Sequence, residues 1–395
     1  MTQNLRTVPL VSVLMPTYNG EKFLRPAIES ILSQTFRDFE LVVIDDGSSD
    51  STPSILSELN DDRVVILRNE TNLGIARATN RGLAAAHGQY IALQDHDDIS
   101  LPHRLQSEVD YLTAHPDVAV VGSAATLVDD DGVAYGEFRL PCEEIDIKWR
   151  LLFVGDAFHY TSIMVRRSAL VEIGGYSEDP AFRFSEAYEP FSRIAMRHRV
   201  VNLSEILVLW RRHRGAASFQ HSRLQAQSGE AISFRNICLL AGSAGGDSGD
   251  PSLEQERRRH YAGFKAFTST PAGQFPSVPS GQVVSGLKFF CEIQQLFYRT
   301  QGFSRMAVAC HRKSLEWRWG KHALALAVRA PWGWNPRAAM FLLGVQCLRR
   351  AVWAALVSIF ARRSEPVAEQ SGYPWGYIAP MHYGNREQAA WTKGH

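Results

Sequence analysis

Tyr90–Pro102 reads YIALQDHDDISLP, an apolar run that turns abruptly acidic. Asp95, Asp97 and Asp98 follow directly on Tyr90-Ile91-Ala92-Leu93. The run has the make-up of a buried strand, so its end gathers three carboxylates at one point. Carboxylates this close repel one another. They are tolerated when a hard cation with oxygen ligands neutralises them. A second use is local: Asp97, Asp98 or Ser100 would cap a helix from Leu101 onward.

Working outward, the same rhythm recurs. Val11–Asn19 (VSVLMPTYN) is a β-branched apolar run closed by turn residues. Glu21–Thr35 carries Phe23, Leu24, Ala27, Ile28, Ile31 and Leu32 at helical spacing. Phe39–Asp50 (FELVVIDDGSSD) is another strand run, Ser51–Leu59 reads as helix and Val64–Leu67 as strand. Ile75–His87 is an Ala-rich helix stopping at Gly88. This alternation predicts an α/β fold: a single Rossmann-like, mostly parallel mixed sheet flanked by helices. Ligands gather at the carboxyl ends of such strands. Thr17-Tyr18-Asn19, Asp45-Asp46-Gly47-Ser48 and Asp95-His96-Asp97-Asp98 all fall there. Each cluster alone would pass for an ordinary turn; three on one edge predict a site.

After Pro102 the pattern predicts a helix over Leu105–His115, two apolar runs with a turn over Val118–Gly132 ending in a hairpin, and a helix over Asp146–Phe153. Ser162–Tyr176 reads as a strand running into a helix that ends at Gly174-Gly175, and Val200–Trp210 as an apolar run before Arg211-Arg212-His213-Arg214-Gly215. Ser222–Leu240 reads as helix, Ala241–Ser252 as a Gly/Ser-rich loop and Pro271–Gly281 as a second breaker-rich stretch. No internal repeat is visible.

The chain has 395 residues, 45% hydrophobic and 21% charged, enough for more than one domain with a sizeable core. A formal net charge of +1 provides no global basic field, so nucleic acid is not an expected partner. Five scattered cysteines without a CxxC pair indicate neither a zinc knuckle nor a disulfide framework. Met1–Leu10 has no apolar core of a secretory signal, and a reducing, cytoplasmic setting is expected.

The ordered set VSVLMPTYNG, LVVIDDGSSD, NLGIARATNRGLAAAHGQYIALQDHDDISLPHRL, SIMVRRSALVEIGGY and Glu186–Ala195 followed by RRH resembles a bacterial family 2 glycosyltransferase with the glycosyltransferase A fold. The resemblance covers roughly residues 8–220, and it implies a catalytic domain over 1–220 with a mainly helical C-terminal extension over 221–395. It also implies a metal-dependent, inverting transfer of sugar from a nucleoside-diphosphate sugar, a UDP-sugar being favoured, to a hydroxyl of a glycan or lipid-linked acceptor, in cell-surface polysaccharide or glycolipid assembly. By resemblance, Pro16, Thr17, Tyr18, Asp45 and Asp46 belong to the nucleotide pocket, where an Asp can read uracil N3–H. Asp97 is the expected ligand of Mn²⁺ or Mg²⁺, with Asp95 nearer the ribose or just behind the metal ligands and His213 completing the metal site. Arg212 and its neighbours Arg211 and Arg214 could hold phosphates or close a basic turn. Arg77 and Asn80, three apart on one helix face, are placed near the nucleotide.

One position departs from the family. Its base is usually the Asp of a Glu-Asp pair spaced from an Arg. Aligning Arg193 puts Glu186 on the Glu and Ala187 on the Asp. Alanine accepts no proton, so Glu186 is the expected base, with Glu189, Glu178 or Asp179 as alternatives. Pro190 predicts a helix starting there, with Glu186–Glu189 in the loop before it. The competing reading is a catalytically silent relative that binds nucleotide sugar or scaffolds a partner. A nucleotidyltransferase is disfavoured because MPTYNGEKF lacks a phosphate-binding Gly-rich loop, and a Rossmann dehydrogenase because no GxGxxG follows the first strand.

Ala338–Arg363 is apolar but is interrupted by Arg349 and Arg350, each costing about 2.5–3.5 kcal/mol at a membrane centre. It reads as a buried helix, or as an interfacial one flanked by Trp332, Trp334 and Trp353 that would bring the protein to the inner membrane face.

Overall fold

VSVLMPT and FELVVID are continuous apolar runs because both faces of their strands are covered. In β1 (Val11–Thr17), Val11, Val13 and Met15 enter one core while Leu14 enters the other. In β2 (Phe39–Asp45), Leu41 and Val43 alternate with Val42 and Ile44 in the same way. The computed structural model describes residues 8–242, 255–262, 280–305, 307–313 and 315. The chain divides into two compact units, Met1–Ser233 and Phe234–His395.

The first unit continues from β1 through α1 (Leu24–Leu32), β2, α2 (Thr52–Ser57), β3 (Val64–Arg68), α3 (Ile75–Ala85), β4 (Tyr90–Leu93), β5 (Ile99–Ser100) and α4 (Arg104–Ala114). It then runs through β6 (Val118–Val128), β7 (Ala134–Phe138), α5 (Glu144–Phe153), β8 (Met164–Arg166), α6 (Arg167–Glu172), α7 (Glu189–Ala195), β9 (Arg199–Arg211) and α8 (Ala217–Gln220), and enters α9 (Ser222–Gly242). Its nine strands form one sheet in the order β3-β2-β1-β4-β8-β6-β9-β5, with β7 paired to β6. The run β3-β2-β1-β4 is wholly parallel, and β8 joins it antiparallel. The expected α/β architecture with a mixed sheet is met. Pro16 is accommodated because the β1–β4 register ends at Leu14–Leu93, so its missing N–H falls past the last paired residue. In the second unit the described residues are helical at 255–262, in α10 (Ser280–Thr300) and at 307–313. Among the described residues, no helix is long and apolar enough to cross a membrane. The stretch Ala338–Arg363 and the Gly/Ser-rich loop lie outside the described residues, apart from the first two positions of that loop, which end α9.

Two local expectations change. Val118–Gly132 is not two runs with a turn; Val118–Val128 is a single strand of 11 residues. The small residues at its centre serve packing: a Cβ on Gly122 would lie 2.4 Å from Asn202 Oδ1 and 2.8 Å from Phe158 Cδ1. Helix α7 begins at Glu189, one residue before Pro190, so Glu189 belongs to the helix and not to the loop.

The sheet edge that bears the acidic cluster is held from within by Arg104, which is fully buried. Its guanidinium donates to Glu108 Oε1 (3.0 Å), Gln94 Oε1 (3.1 Å), Ser100 Oγ (2.9 Å) and the carbonyls of Leu93 (2.8 Å) and Ile163 (3.3 Å). Gln94 in turn donates to the carbonyls of Asp95 (2.9 Å) and Asp98 (3.0 Å). The fork of donors in one arginine thus fastens the end of β4, the turn after it and β5. Arg104→Met would strand Glu108 and several buried acceptors. We expect it to lower stability by about 3–5 kcal/mol, read as a shift in the urea unfolding midpoint.

Candidate active site

β1, β2 and β4 end side by side, with Thr17 registered against Asp45. Their loops are laced together. Asn19 N–H donates to Ser48 Oγ (2.9 Å), Asn19 Oδ1 accepts from Ser49 N–H (2.9 Å), and Gly20 N–H donates to Thr52 Oγ1 (2.9 Å). Gly20 is where the loops converge: a Cβ there would lie 2.6 Å from Thr17 Oγ1 and 2.8 Å from His96 Cδ2.

The structure separates Asp45 from Asp46. Asp46 accepts from Asn69 Nδ2 (2.6 Å), Leu73 N–H (3.0 Å) and Gly74 N–H (2.9 Å), so its carboxylate serves to anchor the start of α3. Asp45 accepts from Ser48 N–H through Oδ1 (2.9 Å). Its Oδ2 is buried without a hydrogen bond, with Arg68 Nε 3.4 Å away. Thr17 Oγ1, on the neighbouring strand end, is also buried with no hydrogen-bond partner. Two buried polar atoms without a hydrogen bond thus stand at neighbouring strand ends, where such groups are ordinarily satisfied. Pro16 is buried at the end of β1, and Tyr18 stands 45% exposed on the turn beside it.

The acidic cluster divides its duties likewise. Asp98 is buried and fully engaged: Oδ1 accepts from Arg211 N–H (2.9 Å) and Oδ2 from Thr161 Oγ1 (2.6 Å). Burial and the charges of Asp97 and Asp95 push its pKa well up. Asp95 is also raised, by burial and then by Asp97 and Glu186. Burial works against ionisation of Asp97 as well. The hydrogen bond with His213 and the nearby His96 outweigh it and hold Asp97 below the usual carboxylate range. His213 Nε2 lies 2.9 Å from Asp97 Oδ2, and its ring packs on Phe23 with centroids 4.9 Å apart.

The structure therefore brings Asp95, Asp97, Asp98 and His213 together. One ligand atom from each of the three aspartates falls within 4.8 Å of the others. Carboxylate oxygens plus one imidazole nitrogen suit Mn²⁺ or Mg²⁺ by ligand type. Asp97 and His213 are the pair turned toward each other, while Asp98 holds the loop in place.

Arg211 is not a phosphate ligand in waiting. Its side chain donates to the carbonyls of Asp97 (3.0 Å), Asp129 (2.9 Å) and Asp130 (3.0 Å), and its guanidinium lies 4.7 Å from the Phe23 ring centroid. Arg212 lies over Trp210 at 4.7 Å. Arg77 pairs with Glu178 (3.0 Å), and Asn80 bonds the backbone of Tyr176 (2.9 Å).

Glu186 lies in the loop before α7, close enough to raise the pKa of Asp95. Its own pKa is pushed up to about 7 by burial; N–H groups of its own residue and Phe184 partly offset this, and Asp156 adds to it. Glu189 goes elsewhere: it is buried on α7 and paired with Arg193 at 2.8 Å. Ala187 packs against the hydrophobic core. Gln94, Arg104 and Arg211 fall inside the quoted motifs, which do not reveal their supporting roles, and Thr161 lies outside them. The one signal for Arg104 is an arginine at the apolar start of a helix directly after the acidic turn.

Residues 12–174 match the model for "Glycosyl transferase family 2". The chain is 38% identical over 171 residues to "Putative glycosyltransferase EpsE" of Bacillus subtilis, covering 42% of this chain and 60% of EpsE. It is 31% identical over 204 residues to the amylovoran biosynthesis glycosyltransferase AmsE of Erwinia amylovora, covering 50% of this chain and 75% of AmsE. It is 42% identical over 100 residues to the UDP-Glc:alpha-D-GlcNAc-diphosphoundecaprenol beta-1,3-glucosyltransferase WfgD of Escherichia coli, covering 25% of this chain and 40% of WfgD.

If Asp97 and His213 form a cation site, Asp97→Asn should weaken Mn²⁺ binding at least about 10-fold by calorimetry. Asp98→Asn should instead show first as lowered thermal stability.

Proposed function

We propose that this chain, which belongs to glycosyl transferase family 2, moves a sugar from a nucleoside-diphosphate sugar to an acceptor hydroxyl with inversion. The observation that carries this reading is one edge holding three things at once: open buried acceptors at Thr17 and Asp45, the Asp97–His213 pair, and a near-neutral Glu186 beside them.

Asp45 is proposed to take the nucleobase. Its Oδ2 makes no hydrogen bond, though Arg68 Nε stands 3.4 Å away, and can accept one N–H, which suits the N3–H of uracil; Thr17 Oγ1 can both give and accept. Pro16 and Tyr18 frame that end. A divalent cation held by Asp97 and His213 would offset the charge of the departing diphosphate. Asp95, next to them, would meet the ribose, and Arg212 phosphate oxygens. Arg77 would reach the donor only by leaving Glu178.

Glu186 is proposed as the base. Inverting transfer needs a group that takes the acceptor proton as its oxygen attacks the anomeric carbon, and works best with a pKa near the working pH. Glu186 meets both needs at the position adjoining Ala187. Glu189 is a poor second choice because Arg193 holds its carboxylate inside the helix packing. The names of AmsE and WfgD support a polysaccharide or lipid-linked acceptor and a UDP-sugar donor. Acceptor contact at a membrane surface would fall to the C-terminal region over 221–395.

The test is release of nucleoside diphosphate from a panel of nucleotide sugars with Mn²⁺ and a membrane-lipid extract as acceptor. Glu186→Gln should lower kcat by about 100-fold or more, as for loss of a general base. The carboxylate works only when deprotonated, so wild-type kcat should climb as pH rises through about 7 and level off above it. The residual rate of the Gln variant should lack that inflection. Donor binding without release from any donor would favour the silent-relative reading, in which Ala187 marks the loss.

A further inference from the structure

Among the described residues, two non-glycine residues take a positive φ: Asn19 at 50° and Phe184 at 61°. Asn enters the left-handed region readily. A bulky aromatic does not, and a residue held there marks a spot where its surroundings over-determine the backbone. Phe184 lies two residues before Glu186.

Anchors on both sides fix this turn. The Phe184 ring stacks on His221, with centroids 4.0 Å apart and planes 18° from parallel. The Arg183 guanidinium lies 5.3 Å from the same ring, and the Arg183 carbonyl accepts from Ser228 Oγ at 2.8 Å. On the other side the Ser185 carbonyl accepts the N–H groups of Tyr188 (2.9 Å) and Glu189 (2.8 Å), opening α7. Between these anchors the left-handed turn brings the Phe184 N–H onto Glu186 Oε1, at 3.2 Å. The strained residue is thus also the donor that orients the carboxylate.

We propose that Phe184, clamped on His221, is a positioning residue that aims the Glu186 carboxylate at the acceptor hydroxyl. The proposal rests on the reading of Glu186 as base. Its physical content is that the stack supplies what the unfavourable backbone conformation needs. Without the ring contact, residue 184 relaxes to an ordinary conformation and its N–H leaves Glu186. The hydrogen bond and ring contacts of Phe184 run to Glu186, His221 and Arg183 and not to Thr17, Asp45 or Asp97, so the donor should bind as before.

The experiment uses the full chain, Mn²⁺ and whichever UDP-sugar the wild type turns over. Phe184→Ala and His221→Ala each remove the stack from one side. Both should lower kcat by about 10-fold or more while donor KM stays within about 2-fold, as expected for a misaimed catalytic group. Phe184→Tyr and His221→Phe keep two stacked rings and should restore most of the rate. In a Glu186→Gln background, Phe184→Ala should cost nothing further, because residues acting as a unit are non-additive.

Wild-type kcat in both alanine variants would overturn the proposal. So would an equal loss from Phe184→Ala with and without Glu186, which would assign the ring to general stability. Should Phe184→Ala fail to fold by thermal melting, His221→Ala carries the test alone. A fully active Glu186→Gln would instead remove the base reading, and the positioning role with it, whatever Phe184→Ala does.

Discussion

Three carboxylates with oxygens inside 4.8 Å of one another cannot stay ionised together on a buried strand end unless something holds each in place. That constraint shapes the sheet edge. Asp98 receives a backbone N–H from Arg211 and a hydroxyl from Thr161, drawn from β9 and from the segment just before β8. Arg104 sits underneath, fixing Leu93, Gln94 and Ser100, so the turn between β4 and β5 is braced at both ends. Asp97, aimed at His213, is the member on which donors outweigh burial. Crowding that would otherwise destabilise the chain becomes a place where only a cation or protons can settle the charge.

The same division of labour runs through the neighbouring loop. Asp45 and Asp46 are adjacent and chemically identical, yet one closes the start of α3 and the other keeps an oxygen open. The side-chain period of an extended strand points consecutive residues apart, so a pair of like residues at its end commonly splits into a scaffold and a site. Asp97 and Asp98, in the turn after β4, also have separate partners, Asp97 facing His213 and Asp98 bonding Arg211 and Thr161, while Arg211 binds three carbonyls of its own chain.

Much of the fold was legible because its signals are local. The β-branched runs at Val11, Phe39 and Tyr90 and the helical spacing at Leu24–Ile31 depend on neighbours a few residues away. The polar strand ends were legible for the same reason. What escaped was set by distant contacts. Ile99–Ser100 is too short to show periodicity and is a strand only because it pairs with Leu209 and Val208. Gly122 and Ser123 suggested a turn, yet they are small because Asn202 and Phe158 press close. The roles of Arg211 as an internal brace and of Asp46 as an anchor depend on partners tens of residues away that no spacing rule connects, and Arg104 reaches the distant Ile163 carbonyl as well as its near neighbours. The left-handed backbone at Phe184 is contrary to its own propensity, and local inconsistency of that kind is where functional strain is expected.

Glu186 draws these strands of argument together. A carboxylate in water is too weak a base to matter at neutral pH, and one buried without donors stays protonated. Here burial pushes Glu186 up, two backbone N–H groups pull it back, and the balance falls at about 7. One of those N–H groups belongs to the residue whose conformation is least natural in the loop. Ala187 is half-buried and packs against the hydrophobic core, whereas Glu186, one position earlier, lies close enough to the acidic cluster to raise Asp95. On the proposed reading of Glu186 as base, the left-handed residue that supplies this N–H donor ties the strain at Phe184 to the poise of the carboxylate two positions on.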